Sequence, residues 1–125
     1  MIKGVGIDTV EVERMAALLA KNPERTRARL FTAGEQERCD ARTRPDECYA
    51  ARFAAKEAFL KAVGTGLSDG VQWTDVEVVA SPKRNPELLL SGRAAEVLVA
   101  TGASVAHLSF THEGGSATAI VLLEG

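Results

Sequence analysis

The chain has 125 residues, of which 46% are hydrophobic and 26% are charged, and these totals fit a single globular domain over residues 1–125. The 15 basic and 17 acidic side chains give a formal net charge of −2, which argues against binding to nucleic acid or to an anionic membrane surface. No signal-peptide pattern is found, and no apolar run approaches the roughly 20 residues of a membrane-spanning helix.

The first part of the chain predicts one strand followed by three helices. Segment 2–8 alternates glycine with apolar residues, as a β-strand does, and apolar residues then recur at helical spacing over 12–19. Asn22-Pro23 ends that helix and can begin a second, and Thr32 with Glu35 has the spacing of a capping box that begins a third.

The middle of the chain carries the longest helical pattern, which runs from about residue 47 to 63 and is followed by Gly64 at a position suited to a helix end. Segments 76–80 and 87–91 then read as strands. Between them, the stretch 81–86 is rich in turn-forming residues, so a hairpin is expected.

The last part predicts a short helix over 92–101 and a second hairpin, formed by strands 105–112 and 116–124. Strictly alternating β and α units are absent. We therefore expect an α+β fold, in which helices pack on one face of an antiparallel sheet.

The two cysteines, Cys39 and Cys48, form no CxxC motif and have no adjacent histidine. Two cysteines are too few for a disulfide framework or a zinc site. We expect both to be reduced thiols and the protein to be cytoplasmic.

Asp8 ends the first predicted strand, where a carboxylate beside glycines can reach a metal ion or a helix N-terminus. The alternative is structural, with Asp8 or Thr9 capping the helix that follows.

Four charged residues, Arg52, Lys56, Glu57 and Lys61, lie among the apolar residues of the long helix. Spacing of four places Arg52 over Lys56 and Glu57 over Lys61 on neighbouring strips. This is either a solvated face with one Glu–Lys pair or an active-site helix. The second interpretation would supply an oxygen ligand for Mg²⁺, cations for phosphates, and a lysine whose pKa burial could lower.

In the strand over 105–112, alternation places His107, Ser109 and Thr111 on one side and His112 with the apolar residues on the other. The three polar side chains suit phosphate or ribose recognition, or form an ordinary exposed sheet face. For His112 a structural role is favoured. The motifs GxSxG, GxxxxGK[ST] and GxGxxG are absent, which argues against a serine hydrolase and against these nucleotide-binding loops.

Several segments share their order and spacing with one family, and together they cover nearly the whole chain. They are Gly4-Val5-Gly6-Ile7-Asp8-Thr9-Val10-Glu11, Arg52-Phe53-Ala54-Ala55-Lys56-Glu57-Ala58, Lys61-Ala62-Val63-Gly64-Thr65-Gly66 and His107-Leu108-Ser109-Phe110-Thr111-His112. In these the chain resembles the small holo-[acyl-carrier-protein] synthase type of the 4′-phosphopantetheinyl transferase family.

The resemblance implies a Mg²⁺-dependent enzyme with the fold of that family. It would transfer 4′-phosphopantetheine from coenzyme A to a serine of apo acyl carrier protein and release adenosine 3′,5′-bisphosphate. It also implies a homotrimer with sites between protomers. Asp8 and Glu57 would ligate Mg²⁺, and Arg14 would face the acidic carrier protein. Proton removal would fall to Lys61, if it is desolvated, or to a metal-bound water oriented by Glu57.

For the coenzyme A site, the resemblance implies Arg52, Lys61, Gly64, His107 and Thr111, with Pro86 near the adenosine of a neighbour's ligand. We add Lys56 and Ser109 because of their places in the helix and strand patterns. The chain departs from the family at Arg84-Asn85, where a glycine and a basic residue usually precede the proline. One alternative is therefore a non-catalytic coenzyme A or nucleotide-binding module. Another is a structural or partner-binding α+β protein whose charged helix is only a solvated surface.

Overall fold

A computed structural model describes residues 1–64, 66–81 and 84–125 of the chain. In chain order the elements are strand β1 (Ile2–Glu11), helices α1 (Val12–Ala20), α2 (Pro23–Leu30), α3 (Ala33–Asp40) and α4 (Pro45–Val63), strands β2 (Val76–Ser81) and β3 (Arg84–Leu90), helix α5 (Gly92–Ala100), and strands β4 (Val105–Glu113) and β5 (Ser116–Glu124). The predicted turn over 81–86 and the 64–66 motif include Pro82, Lys83 and Thr65, which lie outside the described residues. No described helix combines the length and apolarity that a membrane crossing needs.

The strands form two antiparallel sheets, where the sequence predicted one. Among the described residues, β5 lies between β1 and β4 in a three-stranded sheet, and β2 pairs with β3 in a two-stranded sheet. Two glycines with positive φ, Gly114 and Gly115, form the tight turn that joins β4 to β5. The prediction of an α+β fold with antiparallel strands is confirmed. The single sheet is a correction, because strand patterns do not specify which strands become neighbours.

Helix α4 packs across one face of the three-stranded sheet, and alanine makes this close approach possible. Six alanines of α4 are buried, namely Ala50, Ala51, Ala54, Ala55, Ala58 and Ala62. Apolar side chains from the strands, including Leu108, Val121 and Leu123, cover the other side of the same core. The opposite face of the sheet leaves Val5, Ile7 and Ile120 exposed. We call this the open face.

Two helix boundaries follow the capping residues that the sequence predicted. Thr32 Oγ1 accepts a hydrogen bond from the Glu35 amide at 3.2 Å, and Glu35 Oε1 accepts one from the Thr32 amide at 3.0 Å, which completes the capping box. Gly64 ends α4 in the left-handed region with φ of 76°. These predictions are confirmed because each depends only on residues within one turn.

Cys39 and Cys48 form a disulfide, so the prediction of two reduced thiols is wrong. Cys39 lies at the end of α3 and Cys48 at the start of α4, and their Cα atoms are 5.3 Å apart. Both side chains are buried, with Cys39 fully so. The two helices fold back on each other, which brings together cysteines whose spacing in the sequence carries no disulfide signal.

Candidate active site

Two glycines of β1 let the strand lie directly against the backbone of α4. A Cβ at Gly6 would stand 1.9 Å from the carbonyl oxygen of Ala58, and one at Gly4 would stand 2.2 Å from that of Ala62. Only glycine fits such a close backbone approach. The part of β1 that carries Asp8 is thereby brought beside the part of α4 that carries Glu57 and Lys61. The strand continues to Glu11, so the prediction that Asp8 ends it is wrong.

Asp8, Glu57 and Lys61 lie close together, as the family resemblance implied, although the ion pair differs from the one expected. Lys61 Nζ donates to Asp8 Oδ1 at 2.8 Å and to the carbonyl of Ile7 at 3.1 Å. The expected partner of Lys61 from helical spacing was Glu57. Asp8 is the partner of Lys61 instead, because its carboxylate extends from β1 to α4.

The pKa of Glu57 is raised above its usual range. Burial of the carboxyl group is the main cause, and the negative charge of Asp8 and a hydrogen bond between the two side chains add to it. The positive charges of Lys61 and Arg14 act in the opposite direction. Two carboxyl groups held this close repel one another when both are ionised, and a hard divalent cation would relieve that repulsion.

A groove of about 530 Å³ opens above these carboxylates on the side of α1. Arg14 and Lys21 line it with positive charge, and Leu18 and Phe53 give it an apolar wall. Leu18 is 41% exposed and so offers apolar surface to a partner at this groove. The arrangement suits a partner that is acidic and also presents apolar side chains.

A second cavity, of about 450 Å³, lies on the other side of Glu57 and is lined by Leu60, Lys61, Gly64 and Trp73 as well. Gly64, which the resemblance assigns to the coenzyme A site, is one of its lining residues. Glu57 therefore stands between two openings, one facing α1 and one facing Trp73.

Arg52 is buried, yet the described part of the chain gives its Nε no hydrogen-bond partner. It lines a third cavity, of about 420 Å³, together with Arg42, Arg44 and His112. Burial lowers the pKa of the Arg52 guanidinium, and although the charge of Glu35 opposes this, the positive charges of Arg38 and Arg42 add to it. A cavity with several cations and a buried guanidinium whose Nε lacks a hydrogen-bond partner suits an anion.

Lys56 is fully buried, so the interpretation of α4 as a solvated charged face is wrong at this position and at Arg52. The Lys56 ammonium donates to Glu35 Oε1 at 2.8 Å and to the carbonyls of Trp73 and Val76. All three of its donors are used inside the protein. The structure thus leaves no exposed surface through which Lys56 could bind coenzyme A, against the expectation from helical spacing.

A family model described as the 4′-phosphopantetheinyl transferase superfamily matches residues 4–120, which is nearly the whole chain. The chain belongs to that superfamily. It is therefore a transferase, and the cluster of Asp8, Glu57 and Lys61 lies in an enzyme of a phosphopantetheinyl transferase family.

Relatives within the superfamily match over their full lengths. The holo-[acyl-carrier-protein] synthase of Trichlorobacter lovleyi is 50% identical over 124 residues, covering 99% of this chain and 98% of the relative. Among solved structures, the holo-[acyl-carrier-protein] synthase of Neisseria meningitidis has a TM-score of 0.90 at 32% identity and 100% coverage of both chains. The Helicobacter pylori enzyme, solved in complex with coenzyme A, has a TM-score of 0.83 at 26% identity, covering 96% of this chain and 99% of that one.

Three polar residues predicted for the phosphopantetheinyl transferase site, His107, Ser109 and Thr111, lie on the open face of the sheet. The side chains of the neighbouring Ala106, Leu108 and Phe110 face α4 instead, as the strand alternation predicted. The open face is the opposite side from α4, so one chain does not bring these residues to Glu57. His107 Nε2 lies 2.9 Å from Glu124 Oε1. Pro86 lies within β3, one residue earlier than the strand was predicted to begin.

Sequence reasoning missed the lining of the Arg52 cavity and the place of Trp73 in the cavity beside Glu57. Arg42 and Arg44 precede α4 in a segment without a motif, and His112 was assigned a structural role although its side chain is 49% exposed and its Nδ1 lies 3.7 Å from Glu47 Oε1. The only signal in the sequence was the cluster of basic residues before Pro45. Phe53 lies inside a motif but carried no separate signal.

Proposed function

We propose that the chain is a holo-[acyl-carrier-protein] synthase that transfers 4′-phosphopantetheine from coenzyme A to a serine hydroxyl of apo acyl carrier protein. The product released would be adenosine 3′,5′-bisphosphate. The observation that carries the proposal is the convergence of Asp8, Glu57 and Lys61 beside two surface openings, in a chain of this superfamily. Such a cluster combines carboxylate oxygens with a cation, as a reaction at a diphosphate requires.

Magnesium is the cofactor that this donor set fits. Mg²⁺ is commonly held by one or two carboxylates together with phosphate oxygens of the substrate, and Asp8 and Glu57 provide the two carboxylates. The pKa of Glu57 is raised mainly by burial, and the adjacent Asp8 carboxylate raises it further, so the two acidic groups lie close enough to share one cation. When bound, the ion would neutralise diphosphate charge and polarise the phosphoryl group that is transferred.

The remaining chemistry falls to side chains of the chain itself. The carrier serine oxygen attacks the β-phosphate of coenzyme A, and the bond to the adenosine-linked phosphate breaks. Lys61, which is exposed, holds its proton because hydrogen bonding to Asp8 raises its pKa. We assign it a cationic role at the phosphates rather than that of a base. Proton removal from serine then falls to a water oriented by Glu57.

Coenzyme A carries phosphate groups that need cations, and the Arg52 cavity supplies them. Arg52, Arg42 and Arg44 line the cavity, and Arg52 has a buried Nε that lacks a partner. The H. pylori and Bacillus anthracis enzymes were crystallised with coenzyme A or its 3′,5′-ADP portion. We place an anionic part of the ligand in this cavity, on the basis of charge and burial.

We also propose a homotrimer in which the open face of the sheet is covered by neighbouring copies. Val5, Ile7 and Ile120 are 54%, 58% and 41% exposed there. A contiguous apolar patch of this kind marks an interface. The same face carries His107, Ser109 and Thr111, so only a neighbouring copy could present them to the site of another chain, and Pro86 would lie near a neighbour's adenosine.

Sedimentation equilibrium tests the assembly. Ile120→Lys should convert a trimer to monomers and abolish transfer, because a charge would be buried in the interface. Val99→Lys, at a residue of α5 that is 71% exposed, is the matched control and should leave the trimer intact. A wild-type chain that is monomeric and fully active would end the trimer proposal. The cytoplasmic location stays a prediction.

Arg14 lines the groove on the α1 side, and we propose that it meets the acidic carrier protein. Arg14→Glu should raise KM for the carrier and flatten its dependence on salt, since rim charges act mainly on encounter. Lys3→Glu, which changes charge equally at an exposed position of β1, is the control. An unchanged KM in Arg14→Glu would remove Arg14 from the docking surface.

The central experiment incubates the chain with apo carrier protein, coenzyme A and Mg²⁺, and mass spectrometry then looks for phosphopantetheine on a serine. Glu57→Gln should reduce turnover at least about 100-fold while the circular dichroism spectrum stays unchanged, because one ligand and one proton-handling group are lost. Wild-type turnover with ordinary Mg²⁺ dependence in that variant would contradict the assignment. Coenzyme A binding by the wild-type chain without transfer would instead favour the non-catalytic module.

A further inference from the structure

Trp73, the only tryptophan of the chain, forms a wall of the cavity beside Glu57 and Lys61. It begins the 3₁₀ turn Trp73–Asp75 that leads into β2, and its side chain is only partly buried. The indole ring packs against Phe53, with ring centroids 4.9 Å apart and planes tilted by 40°. Because Phe53 lines the groove on the α1 side, the aromatic pair links the two openings that flank Glu57.

The position of Trp73 is set by the buried side chain of Lys56. Lys56 Nζ donates to the Trp73 carbonyl at 3.0 Å, to the Val76 carbonyl and to Glu35. Lys56 directly precedes Glu57 on α4, so one helix carries both the carboxylate and the group that holds the aromatic wall. A lysine with no exposed surface is costly for stability unless it is fully paired, and here every donor serves to join α4, α3 and the Trp73 turn.

The lining of the cavity indicates which part of coenzyme A it would take. Lys61 and Glu57 lie on one side, while Leu60, Gly64 and Trp73 present an uncharged surface. The phosphate groups of the ligand need cations, which the Arg52 cavity and Lys61 supply. The pantetheine arm is uncharged, carries two methyl groups on one carbon and is flexible, and an aromatic wall offers it a large apolar contact.

We infer that Trp73 is a specificity-determining contact for the pantetheine arm of coenzyme A and that Lys56 is the residue that positions it. This rests on the proposed function and names a subsite within it. Adenine could also stack on an indole ring, and that outcome contradicts the inference. The adenosine 3′,5′-bisphosphate portion, which has no pantetheine arm, separates the two.

Trp73→Ala should weaken coenzyme A binding about tenfold and leave the affinity for adenosine 3′,5′-bisphosphate unchanged, as measured by calorimetry with Mg²⁺ present. Trp73→Phe should restore most of the loss because an aromatic wall remains. Val99→Ala, at an exposed position of α5, is the control and should change neither affinity. An equal loss for both ligands would assign Trp73 to adenine and overturn the inference, as would no loss for either.

Fluorescence gives a readout that does not depend on turnover, because the chain has one tryptophan. Coenzyme A should change the emission of the wild-type protein, and adenosine 3′,5′-bisphosphate should change it much less. Equal responses to the two ligands would contradict a contact with the pantetheine arm.

The positioning role of Lys56 is tested with a charge-neutral double variant, Glu35→Gln with Lys56→Met. Replacing both residues avoids a lone buried charge. The single glutamine oxygen can accept the hydrogen bond that the Val78 amide donates to Glu35 Oε2, while the Thr32 amide, which donates to Oε1, loses that acceptor. This variant should fold, raise KM for coenzyme A several-fold, and keep kcat and the affinity for adenosine 3′,5′-bisphosphate. A normal KM would show that Lys56 acts only in stability.

Failure of this inference is distinguishable from failure of the proposed function. If the wild-type chain modifies carrier protein but Trp73→Ala changes the affinities for coenzyme A and adenosine 3′,5′-bisphosphate equally, only the subsite is wrong. If the wild-type chain neither binds coenzyme A nor modifies carrier protein, the proposed function itself fails and the subsite with it.

Discussion

Replacing Gly6 with alanine tests whether the close approach of β1 to α4 builds the active site. The added Cβ would stand 1.9 Å from the carbonyl oxygen of Ala58 and 2.7 Å from the amide nitrogen of Ala62, both backbone atoms that cannot rotate away. Ordinary contact begins at 3.4 Å, so strand and helix must separate by about 1.5 Å. The strand cannot move alone, because Gly6 pairs with Val121 in the sheet.

This displacement should affect both stability and activity. Overpacking of a core typically lowers the free energy of unfolding by about 1–3 kcal/mol. Because the clash here is with backbone atoms, we expect a loss near the upper end of that range, about 3 kcal/mol. For a domain of this size that lowers Tm by roughly 10 °C. Asp8 lies two residues further along β1 and would be displaced from Glu57. A misplacement of about 1 Å can reduce kcat/KM about 100-fold.

The assay compares Gly6→Ala with Gly66→Ala, a glycine that has nothing within 4 Å of the added Cβ and a φ of −136°. Thermal unfolding is followed by circular dichroism at equal protein concentration, because assembly shifts Tm. Transfer rates are measured over a range of Mg²⁺ concentrations, where Gly6→Ala should need more Mg²⁺. If Gly6→Ala melts and turns over like Gly66→Ala, the close approach is not what holds Asp8 beside Glu57.

Three further predictions concern buried groups. Arg52→Met should raise KM for coenzyme A at least tenfold while Tm stays the same or rises, because a buried guanidinium without a partner at Nε disfavours folding; a lower Tm would contradict this. A reductant should destabilise the wild-type protein by about 2.5 kcal/mol through loss of the Cys39–Cys48 disulfide, and the Cys39→Ser/Cys48→Ser variant should not respond to it. Tyr49, the only tyrosine, has a pKa that is raised mainly by burial, so in an ultraviolet titration it should ionise at a higher pH than free tyrosine does. The stability of the fold should therefore fall as the pH rises above about 10, because the unfolded chain loses this proton at a lower pH than the folded chain. Ionisation at the ordinary pH would show that Tyr49 is not buried.

Much of the local structure could be predicted because its causes are local. The capping box of Thr32 with Glu35, the left-handed Gly64 and the alternation that separates His107 from Leu108 each depend on neighbouring residues, and each is confirmed. The candidate site was predicted only in part. Asp8 and Glu57 were paired by resemblance to a family, since spacing on one helix cannot show what a distant strand brings to it.

The amino-acid sequence by itself determined which helices and strands form and in what order, which strand faces are polar, and which family the motifs resemble, because backbone preferences and side-chain periods act over a few residues. The tertiary structure alone decided that Lys56 is buried while Lys61 is exposed, although both are lysines of one helix. It also decided that Cys39 meets Cys48, that Lys61 pairs with Asp8, and that the strands divide into two sheets. These outcomes depend on which surfaces of separate elements come into contact, and that is set by the packing of the whole chain.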